Sequence, residues 1–311
     1  MRAARLLTLI LTVLMTATIA FVLLRVVPGD PAALMLGLDA PPAELAVLRH
    51  QLGEDQPIWA QYAAWLGGLA TGHLGTSFQY HAPVATLIAE RLPVTLSLAA
   101  AAMVVTVVVA LPLGLLAAVR AWSPLDLGVL AATQLGLAVP NFWLGILLLL
   151  AFSVSLRWFP LQGYAPLHAG VAAWAGHLVL PAVTLGAARA AQLMRFVRGA
   201  ALEELGREYV RTARGKGLGG RAVLLGHVLR NALIPVVTVA GLQIGFLLGG
   251  AIIVEQVFGL PGIGRLVLQG IFARDLPVVQ GAVVVLAAFV CVLNAVVDLL
   301  YGVLDPRVSV E

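Results

Sequence analysis

The stretch EELGREYVRTARGKGLGGRAVLLGHVLR, Glu203 to Arg230, carries nine charged residues: Glu203, Glu204, Arg207, Glu208, Arg211, Arg214, Lys216, Arg221 and Arg230. On either side of it the chain is apolar enough for lipid. Of its 311 residues 61% are hydrophobic and 11% charged, and the mean hydropathy is +0.99. A soluble domain carries about 25% charged residues. The contrast predicts a bilayer protein with one dense polar connector between two of its spans. The sequence pI of 9.7 does not point to nucleic acid. Its basic residues flank apolar runs, where the positive-inside rule expects them. The single cysteine, Cys291, lies in an apolar run, so no intrachain disulfide forms and no cysteine metal site is implied. The histidines, His50, His73, His81, His168, His177 and His227, form no close-spaced metal pair.

A bilayer span needs about 20 mostly apolar residues. Leu6–Leu24, Leu92–Val119, Leu127–Leu156, His177–Phe196, Ala232–Val254 and Leu276–Val297 meet that need. Arg189 lies inside the fourth run, and the sixth continues past Asp298 to Val303. The expected fold is therefore an all-α integral membrane protein with six transmembrane helices. Arg2 and Arg5 precede the first run, as in a signal peptide. The run exceeds the roughly 7–15 residues of a signal core and no small-x-small cleavage site follows, so it is read as a retained helix. Six spans put both termini on one side. With the N-terminus inside, twelve Lys and Arg fall on inner ends and loops and six on outer ones. That bias places both termini, and the connector, in the cytoplasm.

Outside the membrane, the largest segment runs from Pro28 to about Arg91. PGDP, Pro28–Pro31, reads as a turn. PPAELAVLRHQLG reads as a short helix closed by Gly53. IWAQYAAWLGGL reads as another, with Trp59, Tyr62, Trp65, Leu66 and Leu69 on one side. Trp and Tyr favour the membrane interface, which places this segment on the outer surface. The stretch from Arg157 to Gly176 is an interfacial loop rich in Pro, Gly and aromatics. In the connector, Leu202, Leu205, Tyr209, Val210 and Ala213 fall on one face of a single helix, with the charges opposite. Gly215, Gly217, Gly219 and Gly220 then break the helix, and a new helix leads into the fifth span. A loop that only set topology would not need an amphipathic face and a glycine hinge. A partner-binding element in the helix-in-groove mode would.

EYVRTARGKGL (Glu208–Leu218) followed by HVLRNALIPVVT (His227–Thr238) resembles the EAA loop of ABC-importer permeases, in the variant of the dipeptide, oligopeptide and nickel branch. Of the general E-A-A, G, I-x-L-P form, only Ala213, Gly217 and Leu229 fit. The resemblance extends along the chain through RVVPGDPA (Arg25–Ala32), QLGEDQPIWAQYAAWL, GHLGTSF (Gly72–Phe78), AVPNFWLG (Ala138–Gly145), GGAIIVEQVFGLPGIGRL (Gly249–Leu266), RDLPVVQG (Arg274–Gly281) and VDLLYGVLDPR (Val297–Arg307). His73 stands where that branch usually has Asp. The resemblance implies a type I importer permease fold: a first helix over 1–27, an external subdomain over 28–91, a five-helix core over 92–306 with the coupling loop at about 201–231, and a cytoplasmic tail at 307–311.

It also implies the partners: a second homologous permease, two ABC ATPase subunits and an extracytoplasmic solute-binding protein, assembled in the lipid bilayer of a bacterial inner membrane. The chain itself is expected to hold no cofactor and no metal, with ATP and Mg on the ATPases. The coupling residues would be Glu208, Tyr209, Val210, Arg211, Thr212, Ala213, Arg214, Gly215, Lys216 and Gly217. Arg211, Arg214 and Lys216 would meet acidic residues of the ATPase, and Tyr209, Val210 and Ala213 would supply the stronger, apolar docking. The chain has no nucleotide site of its own. A P-loop needs G-x-x-x-x-G-K-[ST], and the one lysine, Lys216, precedes Gly217.

Ionisable and polar residues inside spans are functional candidates. Arg189 either snorkels to the cytoplasmic face or faces a pore. Asp298 would pair with a neighbouring base. Gln134, Asn141 and Gln243 either line a path or join helices by hydrogen bonds; Glu255 would belong to an outer gate. The expected cargo is a di- or oligopeptide. Nickel, glutathione or another small solute remain alternatives, because the binding protein selects. A stand-alone secondary transporter would show internal repeats and broken charged helices, and a membrane enzyme a clustered catalytic set. Neither is seen.

Overall fold

The computed structural model describes residues 2–26, 31–36, 40–51, 53 and 55–304. The turn residues Pro28, Gly29 and Asp30, the tail 307–311 and the side chain of Asp298 lie outside what is described. Among the described residues the regular structure is helical, with one isolated antiparallel bridge between Thr76 and Pro83. In chain order the helices are α1 (Arg2–Val26), α2 (Pro31–Leu36), α3 (Pro42–Gln51), α4 (Ile58–Ala70), α5 (Val84–Val119), α6 (Pro124–Ala138), α7 (Asn141–Leu148), α8 (Val171–Leu205), α9 (Glu208–Gly215), α10 (Gly220–Val223), α11 (Leu229–Val257), α12 (Ile263–Phe272) and α13 (Leu276–Leu304). A wide π turn, Leu149–Ser155, extends α7, and a second, Leu224–Val228, joins α10 to α11.

Four helical stretches are long and apolar enough to cross a bilayer: Val84–Val119, Val171–Leu205, Gly220–Val257 and Leu276–Val297. The third run of the sequence is not one straight helix. α6 and the α7 segment meet at an angle of 101° and together could make a fifth crossing. Pro140 explains the break: its ring bars the preceding residue from helical geometry, and Val139 is extended at φ −78°, ψ 121°. The apolar part of α1, Leu7–Leu23, is a shorter stretch. It rises about 25 Å, against a hydrocarbon core of about 30 Å.

The chain groups into two compact units. The first comprises Met1–Val94 and Pro261–Cys291. Within it, Ala17, Ala20 and Phe21 form the buried side of α1, and the larger Leu7, Ile10, Met15 and Leu23 stay exposed. Phe21 meets the rings of Tyr62 and Trp65 at 5.2 and 5.5 Å, and Thr18 shares a hydrogen bond with the Tyr62 hydroxyl. The aromatic face of α4 is thus committed to α1, and Trp59 alone of its aromatics is exposed, at 72%. α5 starts eight residues before its apolar run because Val84, Leu87 and Ile88 share one helical face. They bury it in a cluster with Ile263, Leu266 and Val267 of α12 and Val278, Val279 and Ala282 of α13. Beside it, Asp275 accepts hydrogen bonds from the Ser77 hydroxyl and the Gln79 amide, and both Asp275 and Ser77 are buried.

The second unit comprises Thr95–Leu260 and Val292–Glu311. α8 is its hub and packs against α6, α7 and α11. Close packing depends on glycine. A Cβ on Gly114 would lie 2.9 Å from the Met194 carbonyl oxygen, and one on Gly186 would lie 2.8 Å from that of Ala102. α5 and α8 therefore approach backbone to side chain at two levels, the small-residue packing usual between membrane helices.

Candidate functional site

The connector does not continue α8. The face read across Leu202–Ala213 is interrupted at Gly206, whose amide bonds the carbonyls of Leu202 and Glu203 and ends α8. Arg207 is extended at φ −69°, ψ 149°, and α9 restarts at Glu208. Periodicity misread this because the apolar spacing survives the break while the axis does not. At the other end the expected glycine stop is present. Gly217 takes φ +82°, and the Gly217 and Leu218 amides bond back to the carbonyls of Arg214 and Ala213. Glycine meets that left-handed closure without a Cβ penalty.

α9 turns its apolar face inwards. Val210 and Ala213, 0% and 6% exposed, join a buried cluster with Ala110, Leu115 and Ala118 of α5, Leu193, Met194, Val197 and Ala201 of α8, and Val223, Val228 and Val236 further on. The expected apolar docking by Val210 and Ala213 is therefore corrected: this chain's own core already covers them. The surface that α9 leaves open is polar and mainly basic. It comprises Glu208, Arg211, Thr212, Arg214, Gly215, Lys216 and Gly217, with Arg221 beyond.

Tyr209 is half-buried and wired to both sides of the connector. Its hydroxyl donates to Glu204 at the end of α8 and accepts from Asn231 Nδ2 at 3.1 Å. Burial, and then the bond to Glu204, hold the phenol above its ordinary pKa. Arg207 reaches Glu203 at 2.6 Å. Tyr209, Gly226, His227, Arg230, Asn231 and Ile234 line a groove of about 520 Å³ beside α9. The π turn at Leu224–Val228 forms one wall of it, a device often found at functional sites.

The remaining candidates occupy separate settings. Glu255 is 0% exposed and accepts from Thr95 Oγ1 at 2.6 Å. Gln243 is 2% exposed, and among the described residues neither polar atom of its side-chain amide has a hydrogen-bond partner. Asn141 opens α7 and is half-buried; Gln134 is exposed on α6. Arg189 lies with its guanidinium 4.8 Å above the Phe246 ring and donates to Gln192 Oε1 at 3.3 Å.

One arrangement escaped the sequence reading. Arg198 makes a two-pronged ion pair with Asp126, Nε to Oδ1 at 2.6 Å and the terminal nitrogen to Oδ2 at 2.7 Å. Asp126 is fully buried and also accepts from the Trp122 amide at 2.9 Å. The Ser123-Pro124-Leu125-Asp126 capping signature was there to be read. Its partner, 72 residues away, was not. Arg198→Ala is expected to lower the thermal midpoint in detergent further than Asp126→Asn with Arg198→Ala together, because the single change strands a buried carboxylate. Equal losses in single and double variants would show that the pair carries no such coupling.

The fold and this connector define a multi-pass, all-helical membrane protein that presents a short basic helix outside its spans. Residues 110–310 match the family described as binding-protein-dependent transport system inner membrane component, and residues 2–99 match that family's N-terminal model. The chain belongs to this family of inner-membrane transport components. A Brucella suis protein named as a peptide transport system permease protein is 44% identical over 298 residues, covering 96% of this chain and 95% of its own. The oligopeptide transport system permease protein AppB of Bacillus subtilis is 39% identical, with 94% and 93% covered. The glutathione transport system permease protein GsiC of Salmonella paratyphi A is 42% identical, with 98% and 97% covered.

Proposed function

We propose that the chain is a transmembrane subunit of an ATP-driven importer of di- and oligopeptides, working beside a second homologous permease, two ABC ATPases and an extracytoplasmic binding protein. The observation that carries this reading is α9. It is a short helix anchored in the bundle by Val210 and Ala213, with Arg211, Arg214 and Lys216 turned outwards. An ATPase cleft with acidic walls fits that surface. Both termini and α9 lie in the cytoplasm in this reading, and ATP and Mg stay on the ATPases. Glu208 to Gly217 transmit their motion: the exposed residues make the contact, and Tyr209, Val210 and Ala213 pass it to the bundle. Asn141, Gln243 and Glu255 remain candidates for the path or its outer gate. The buried Glu255 pair with Thr95 supports a gate that stays shut in this conformation. The glutathione relative supports a second cargo, itself a short peptide.

The two permeases and two ATPases, reconstituted together, should import labelled tripeptide only with ATP and the binding protein. Solute movement by this chain alone without ATP would overturn the reading. Arg211→Ala by itself should slow uptake by less than about fivefold, because an exposed pair contributes roughly 0–1 kcal/mol.

A further inference from the structure

We infer that Arg189, held over the ring of Phe246, is a carboxylate-binding station on the path through the membrane, and that it takes the C-terminal carboxylate of the passing peptide. This rests on the peptide-import reading above.

Depth is the first argument. Arg189 lies seven residues inside the end of the fourth apolar run at Phe196, and Phe246 lies 14 residues inside the start of the fifth at Ala232. These are about 10 and 21 Å of helix rise from the ends of those runs. The guanidinium carbon lies 4.8 Å from the centroid of the Phe246 ring, a cation–π contact that holds it against α11. Charge is the second. Among the described residues no carboxylate pairs with Arg189, and its one hydrogen bond is to the neutral Gln192. Of the other two arginines of α8, Arg198 has its own acid in Asp126 and Arg195 is exposed. An arginine at this depth is costly in hydrocarbon and belongs on a watered or protein-lined face. α8 is also the least apolar of the four long spans.

The third argument is geometry. Arg189 is half-buried and Phe246 is 60% exposed. Leu242, Phe246, Gly249 and Ile253 share one open face of α11, and Gly249 leaves open space beside the ring. The cation–π contact with Phe246 holds the guanidinium from one side. Its remaining N–H groups stay available for the two-pronged grip that a carboxylate accepts. A carboxylate of the second permease would satisfy the same chemistry, so the test must separate the two sources.

The test uses the two permeases and two ATPases assembled in lipid nanodiscs and proteoliposomes, with the binding protein added. In a Cys291→Ala background, Arg189→Cys should react with a water-soluble, membrane-impermeant sulfonate thiol reagent, and triglycine delivered by the binding protein should slow that reaction severalfold. In proteoliposomes Arg189→Gln should raise the KM for triglycine about tenfold or more, the loss of a charged hydrogen bond. Arg189→Lys, which keeps the charge but not the two-pronged fork, should recover only part of the loss. No labelling, or labelling that triglycine leaves unaltered, would assign Arg189 to lipid or to a subunit contact and overturn the inference, as would an unchanged KM in Arg189→Gln. A wild-type assembly that imports no peptide would instead overturn the peptide reading itself, so the two failures are distinct.

Discussion

Val210→Asp is expected to cut binding-protein-dependent uptake to less than about a tenth of wild type while the chain still reaches the membrane. Val210 is fully buried beneath α9, so the substitution sets a carboxylate among Ala110, Leu193, Val197 and their neighbours with no base in the cluster. An uncompensated charge of this kind costs several kcal/mol, more than one short helix can retain. α9 should leave its seat, and the basic surface should lose its fixed direction. Uptake in proteoliposomes and the ATPase yield on co-purification measure the result. Val210→Ile, which keeps the seat apolar, should retain most activity. Normal uptake by Val210→Asp at normal expression would mean that anchoring of α9 plays no part in transport. Ala213→Glu tests the same seat from the next turn.

Gly186→Ala should destabilise the protein by about 1–3 kcal/mol, the usual cost of an extra methyl in a filled core, and Gly186→Leu should leave little folded chain. The new Cβ would sit 2.8 Å from the Ala102 carbonyl oxygen, a backbone atom that cannot swing aside, and 3.3 Å from Thr106 Oγ1. Gly114→Ala should behave alike, since it meets both the Met194 carbonyl oxygen and Val197. The control is Gly199→Ala in the same α8, where nothing lies within 4 Å. There the substitution should be neutral or mildly stabilising through helix propensity. Thermal unfolding in one detergent compares the three. Equal midpoints for Gly186→Ala and Gly199→Ala would show that α5 and α8 are not as close as described.

The helical class, the glycine stop at Gly217 and the whereabouts of the polar connector were legible because each follows from local chemistry. Long apolar runs need a bilayer, and φ +82° needs a glycine. The short helices Pro42–Gln51 and Ile58–Ala70 were legible for the same reason. What periodicity could not supply was direction. The angle at Val139–Pro140 and the restart after Gly206 each keep an apolar spacing while turning the axis. The inward face of α9 was misjudged for a related reason: an amphipathic helix announces that it will bury one side, and nothing in its own residues says against whom. Asp126 with Arg198, and Arg189 with Phe246, join residues far apart in sequence, and only the packing of α8 brings each pair together.

The seating of α9 has a mechanical corollary. Its two inward side chains share one core with α5 and α8, and its outer residues stand clear. A push on the outer residues is then borne by the long helices directly, as a load on a bearing fixed to its frame. The Gly217–Gly220 stretch, closed back onto α9 at Gly217 and Leu218, is the link by which that load passes on toward α11.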